Sequence, residues 1–189
     1  MMNLIHPPPL SLYIHYPWCV KKCPYCDFNS HQHKPIKNLN QQYVNALIND
    51  LEQELPSIWG RNIHSVFIGG GTPSLLEVEE LNHLICQLRS RLSISPMVEI
   101  TLEANPGTID YIKFSEFKSI GINRLSIGVQ SFDDQQLLSL GRIHSSQDAI
   151  HAIENAHKSG FNEINLDLMF ALPQQSLKQA EQDITQAIS

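Results

Sequence analysis

The segment Ser65-Val66-Phe67-Ile68-Gly69-Gly70-Gly71-Thr72-Pro73, followed by the helical pattern Glu77 to Leu92, decides the fold class. A short β-branched and apolar run closes on three glycines, then gives way to Leu81, Leu84, Ile85 and Leu88 at helical spacing, with acidic residues in the first turn. That is one strand-then-helix unit, and the same alternation extends in both directions. Upstream, Leu10 to Tyr16 reads as a strand and Leu39 to Leu55 as a helix ended by Pro56. Downstream come strands at Val98 to Leu102, Arg124 to Val129 and Glu163 to Leu168. Helices are expected at Asp110 to Ser119, Asp133 to Leu140, Ser146 to Lys158 and Leu177 to Ile188. Five successive βα units with short connections predict an α/β protein with a parallel sheet and helices outside it. The pattern fits a doubly wound open sheet or an arc of a (β/α) barrel, and in both the functional groups gather beyond the carboxyl ends of the strands.

Composition narrows the function classes. The chain has 189 residues, 42% of them hydrophobic, enough for a sizeable core in one domain, with residues 1–9 as a leader. A net charge of −6 offers no footprint for a nucleic-acid backbone, so no nucleic-acid partner is expected. The apolar runs are too short for a transmembrane segment and the first ten residues lack the pattern of a signal peptide, which predicts a cytoplasmic protein. Of four cysteines, Cys19, Cys23 and Cys26 fall within eight residues. In a cytosolic chain such a cluster favours metal or catalytic chemistry over disulfides. Cys86, within the apolar helical stripe, is expected to be a buried structural thiol.

Each strand end delivers candidate chemistry to one rim. The first is followed by Cys19-Val-Lys-Lys-Cys23-Pro-Tyr-Cys26 and the second by Gly69 to Pro73; the third carries Glu103 and Asn105, the fourth Gln130 and the fifth Asp167. Three closely spaced thiolates match an iron–sulfur cluster better than zinc, which favours four ligands and would need His15, His31 or His33 as the fourth. Three cysteines on a four-iron cluster leave one iron open to a small chelating molecule. The triple glycine is neither a P-loop nor a dinucleotide fingerprint, but it lets bare backbone approach a ligand. His31, His33 and His144 read as exposed loop residues.

The spacing C-x3-C-x2-C before a glycine-rich strand end resembles the signature of radical S-adenosylmethionine (SAM) enzymes. Six ordered blocks narrow the resemblance: Tyr13 to Cys19, the cysteine loop Cys19 to Cys26, Gly69 to Pro73, Glu103 to Pro106, Gly121 to Phe132, and Asn165 to Pro173 look like the oxygen-independent coproporphyrinogen III oxidase family. The resemblance implies a partial (β/α) barrel of the radical SAM type over residues 10–189. It implies a [4Fe–4S] cluster on Cys19, Cys23 and Cys26, with Tyr13 and Tyr25 beside the cluster or the bound SAM. Gly70, Gly71 and Thr72 would line the methionine end of SAM, Glu103 would accept hydrogen bonds from it, Gln130 and Asp167 would add polar contacts, and Arg142 would pair with a carboxylate.

Two branches of that family differ at a position this chain makes visible. The oxidases carry a further cysteine two residues after the third, where this chain has Phe28, and a longer arm before the first strand. Both departures resemble the haem-chaperone branch, which implies haem as ligand and a haem-accepting protein as partner. The oxidase branch implies instead a 5′-deoxyadenosyl radical that decarboxylates propionates of a porphyrinogen. A zinc-stabilised binding protein is the third reading. Family members are about twice as long, with a sixth βα unit and a C-terminal domain, so a truncated or split gene product is expected, with the fifth strand as an open sheet edge.

Overall fold

A computed structural model describes residues 7–34 and 36–189; the first six residues of the expected leader lie outside this range. Strand β1 spans Leu10–Tyr16, and two short strands, β2 (Trp18–Cys19) and β3 (His31–Gln32), pair with each other to bracket the cysteine loop. Helix α1 (Leu39–Ile58) follows, then β4 (Asn62–Gly70) and α2 (Val78–Arg91). Next are β5 (Ser93–Ala104), α3 (Tyr111–Ser119) and β6 (Arg124–Gln130). The chain continues through α4 (Asp134–Ser139), α5 (Ser146–Lys158), β7 (Glu163–Leu168) and α6 (Leu177–Ile188).

The main sheet is wholly parallel in the order β1-β4-β5-β6-β7. Spatial order therefore follows chain order with no reversal. A doubly wound sheet needs a reversal at its switch point, so this is the arc of a barrel, and the alternative left open by periodicity is settled. Among the described residues β7 pairs with β6 alone. Its residues are mostly half-buried, whereas β6 between its two neighbours is almost fully buried.

Local chemistry sets the helix boundaries. Glu77 and Glu80 cap α2 reciprocally, as Ser145 and Asp148 do for α5 and Ser176 and Gln179 for α6, each satisfying amides that the first turn leaves free. Asp110 and Asp133 accept backbone N–H bonds at the starts of α3 and α4. Two expectations are corrected. Helix α1 runs past Pro56 to Ile58, because a proline in the last turn removes only one hydrogen bond at an end already fraying. Cys86 is exposed: Leu81, Leu84, Ile85 and Leu88 are the buried stripe of α2, and Cys86 stands one residue, about 100° of helical turn, beyond it.

The core lies between the sheet and the helices. Ile14, Tyr16, Val66, Ile68, Ile100, Leu102, Leu125 and Ile127 from the strands meet Val44, Leu81, Leu84, Phe114, Phe117, Ala149 and Ala156 from the helices. Alternation along each strand then turns the opposite side chains, Glu103, Ser126 and Asp167 among them, toward the concave face.

Candidate functional site

The first loop is tied down before it offers its thiols. His31 N donates to the Pro17 carbonyl at 2.7 Å and His33 N to that of Cys19 at 2.8 Å, while Lys22 Nζ donates to the carbonyls of Phe28 and Ser30. Cys19, Cys23 and Cys26 are half-buried free thiols. The glycine strand end presses against them. A Cβ on Gly71 would stand 2.6 Å from the Trp18 carbonyl oxygen and 3.0 Å from Cys19 Sγ. Gly70, at φ +118°, adopts a conformation open to glycine, and its N–H donates to Glu103 Oε2 at 2.9 Å.

From the next strands a chain of side chains runs to the same place. Asn105 Nδ2 donates to Thr72 Oγ1 at 2.9 Å, and Asn105 Oδ1 accepts from Arg142 Nη2 at 2.7 Å. The same nitrogen of Arg142 donates to the Gly128 carbonyl at 2.8 Å, and Arg142 Nη1 to Cys23 Sγ at 3.7 Å. Asp167 accepts from Asn165 Nδ2 at 2.7 Å and from Ser126 Oγ at 3.2 Å. Gln130 holds φ +67°, a left-handed conformation that costs a residue with a side chain about 1–2 kcal/mol, and its carbonyl is pinned by Met169 N at 2.9 Å.

These groups share one cavity of about 410 Å³, lined by the three cysteines, Lys21, Tyr25, Phe28, Gly70, Gly71, Thr72, Glu103, Asn105, Ser126, Gly128, Gln130, Arg142, Asp167 and Met169. All the expected site residues therefore meet there except Tyr13. Tyr13 lies on the same strand face, but its ring stacks on Phe67 and its hydroxyl is 2.8 Å from His15 Nδ1. Sequence reasoning missed Ser126, Gly128 and the bridging role of Asn105, although all three sit inside the quoted blocks.

Burial shapes the electrostatics. Glu103 is raised above the ordinary carboxylate value by desolvation, partly offset by the Gly70 N–H and pushed further by Asp167. Asp167 is raised by desolvation, against the bonds from Ser126 and Asn165. Burial pushes the Tyr25 hydroxyl up to about 12, with Arg142 opposing. The cavity thus sets two costly carboxylates opposite one guanidinium.

The histidines separate. His15 has both ring nitrogens engaged, by Tyr13 and by the Asn29 carbonyl at 2.8 Å. His31 and His33 are exposed as expected, but His144 is not: it is 4% exposed, with Nε2 3.1 Å from the Val129 carbonyl oxygen. The reason is the turn after α4, which folds inward between β6 and the Pro106–Thr108 turn. Among the described residues, no three His, Cys, Asp or Glu side chains are arranged to hold a single metal ion.

The model of the Radical SAM superfamily matches residues 13–187. The chain belongs to the radical SAM superfamily. This radical SAM chain is 49% identical over 185 residues to "Heme chaperone HemW" of Haemophilus influenzae and 50% over 181 residues to that of Escherichia coli, in each case over 96% of this chain and 48% of the relative. The Bacillus subtilis "Heme chaperone HemW" is 40% identical, over 95% and 47%. The chain thus spans about half the length of the curated relatives it matches. The solved structure of coproporphyrinogen III oxidase (HemN) from Escherichia coli superimposes with a TM-score of 0.85 at 29% identity, over 95% of this chain and 41% of that one. Methylornithine synthase (PylB), at 12% identity and a TM-score of 0.60 over 95% of this chain and 50% of that one, shares the fold alone.

Proposed function

We propose that Cys19, Cys23 and Cys26 hold a [4Fe–4S] cluster, that the adjoining cavity receives SAM, and that the protein binds haem and passes it to acceptor proteins. The observation that carries the cofactor reading is the meeting of three free thiols, two carboxylates, an arginine and a glycine-lined strand end in one cavity of about 410 Å³. That volume falls within the range of small-molecule sites, about 300–1,000 Å³.

The residues fit both groups. Thiolates are the usual ligands of iron–sulfur clusters, and the Gly71 backbone leaves room beside Cys19 that any side chain would fill. When bound, the cluster supplies an iron with an open coordination position for the methionine amino and carboxylate groups of SAM. The chain's own groups then orient that ligand. Arg142 keeps its Nη1 side for a carboxylate, since Asn105 and Gly128 hold its Nη2. Glu103 and Asp167 suit an ammonium group and ribose hydroxyls, and Gly70 and Gly71 present backbone without obstruction.

The haem-chaperone reading is supported by the similarity to HemW proteins at 40–50% identity. Phe28 supports it as well, standing at the cavity where the oxidases carry a further cysteine. The net charge of −6 offers nothing to a nucleic-acid partner, the haem-accepting partner and the cytoplasmic setting rest on the similarity to HemW proteins, and among the described residues no helix is long and apolar enough to cross a membrane. Of the histidines the zinc reading would call on, His15 is engaged at both ring nitrogens.

Anaerobic reconstitution tests the proposal. Four irons and four sulfides per chain are expected, lost in Cys23→Ala; one zinc without sulfide would overturn it. A haem titration followed by Soret absorbance should then saturate. Conversion of coproporphyrinogen to protoporphyrinogen by the reconstituted protein would replace the chaperone reading with the oxidase one.

A further inference from the structure

We infer that His144 is a positioning residue: its Nε2–H bond to the Val129 carbonyl fixes the turn between α4 and α5 and so aims the Arg142 guanidinium into the cavity. Two consecutive carbonyls at the end of β6, Gly128 and Val129, are grasped by two side chains of that turn, Arg142 at 2.8 Å and His144 at 3.1 Å. The turn is placed on its other sides too. Gly141, at φ +72°, would carry its Cβ 3.1 Å from the Pro24 ring in the cysteine loop, and the Arg142 N–H donates to the Leu137 carbonyl at 3.0 Å. His144 Cβ stands 3.3 Å from where a Cβ on Gly107 would lie, so the base of this side chain packs against the Pro106–Thr108 turn.

A carbonyl only accepts, so Nε2 carries the proton. The ring is neutral, since burial and the neighbouring Arg142 both oppose a second charge. Nδ1 is then a buried acceptor that meets no hydrogen-bonding partner among the described residues. An apolar side chain would fill this space without that cost. What the imidazole adds is the single donor to Val129, next to Gln130 and its left-handed backbone. His144 touches none of the expected ligand groups itself; it acts through Arg142.

The SAM arm of the test rests on the proposed function, whereas the spectroscopic arm does not. Long-range 1H–15N spectra of the cluster-free chain should show the neutral Nε2–H tautomer of His144. They should also show a slowly exchanging Arg142 Nε–H, since that nitrogen is buried. The Arg142 signal should persist in His144→Gln, whose amide can replace the donor, and vanish in His144→Leu. In the reconstituted chain His144→Leu should weaken SAM binding about tenfold, the size of one lost buried hydrogen bond, with His144→Gln restoring it. In an Arg142→Ala background His144→Leu should cost nothing more, as groups acting through one another are not additive. An Nδ1–H tautomer, an unchanged Arg142 signal in His144→Leu, or additive losses would overturn the inference. Should His144→Leu not fold, the tautomer and the His144→Gln affinity decide. Unchanged SAM binding in Arg142→Ala would remove the ligand reading, while the spectra still decide whether His144 positions Arg142.

Discussion

Replacing Gly71 by alanine tests the close approach on which the cavity depends. The added Cβ would lie 2.6 Å from the Trp18 carbonyl oxygen, 2.8 Å from its carbon and 3.0 Å from Cys19 Sγ. Ordinary contact begins near 3.4 Å, so the strand end and the cysteine loop must part by roughly 0.8 Å, in an interior too densely packed to absorb it freely. Two of the three atoms are backbone, and the loop is held from behind by Gly71 N on the Tyr16 carbonyl and Thr72 N on the Trp18 carbonyl, at 2.7 and 2.8 Å. Overpacking of this kind costs about 1–3 kcal/mol. With a urea slope of about 2 kcal/mol per molar, the unfolding midpoint should fall by about 1 M. Iron bound after anaerobic reconstitution should fall as well, because the displaced Cys19 is one of the three thiols proposed to hold the cluster. Gly60→Ala is the control: nothing lies within 4 Å of its Cβ, and its φ of +75° confines the cost to backbone strain of about 1 kcal/mol, with iron loading untouched. An unshifted midpoint and full iron loading for Gly71→Ala would falsify the close approach.

Glu103→Gln should flatten part of the pH–stability profile. Burial raises the folded-state value of Glu103 above the unfolded one, so the folded state holds more protons between them; stability falls as pH rises through that interval, and urea midpoints in the glutamine variant should lose that fall. Asp183→Ala should destabilise the protein by about 1–3 kcal/mol in urea melts, because the buried carboxylate accepts from Ser131 Oγ at 2.8 Å and Phe132 N at 2.7 Å, and alanine leaves both donors unpaired. Asn105→Leu should cut the link between Thr72 and Arg142, weakening SAM binding about tenfold in equilibrium dialysis. A wild-type affinity in that variant would mean that Arg142 needs no support from Asn105.

Much of this architecture is written locally. Capping residues such as Glu77, Ser145 and Ser176 mark the starts of α2, α5 and α6 within a residue, whereas β5 begins at Ser93, well before the Val98 its apolar run suggests. Strand order is not local: the same periodicity serves an open doubly wound sheet, and only the pairing in space distinguishes the arc. That Glu103, Gln130 and Asp167 share one cavity follows from position alone, because residues at the carboxyl ends of strands in such folds share one rim. His144 looks like a loop residue because the carbonyl it grasps is 15 positions away in sequence. Cys86 failed for a smaller reason, a helical phase one residue off the buried stripe.

The unbroken strand order has a bearing on how the molecule assembles. Every strand of the main sheet docks beside the one just completed in sequence, so the arc can grow strand by strand during synthesis without waiting for distant chain. The cavity cannot. Its cysteine loop is made early, yet Arg142 reaches Cys23 across 119 residues of chain and Asp167 arrives only with β7. The thiols therefore emerge early and stay uncovered until β7 is in place, which puts their protection from oxidation among the demands on the nascent chain.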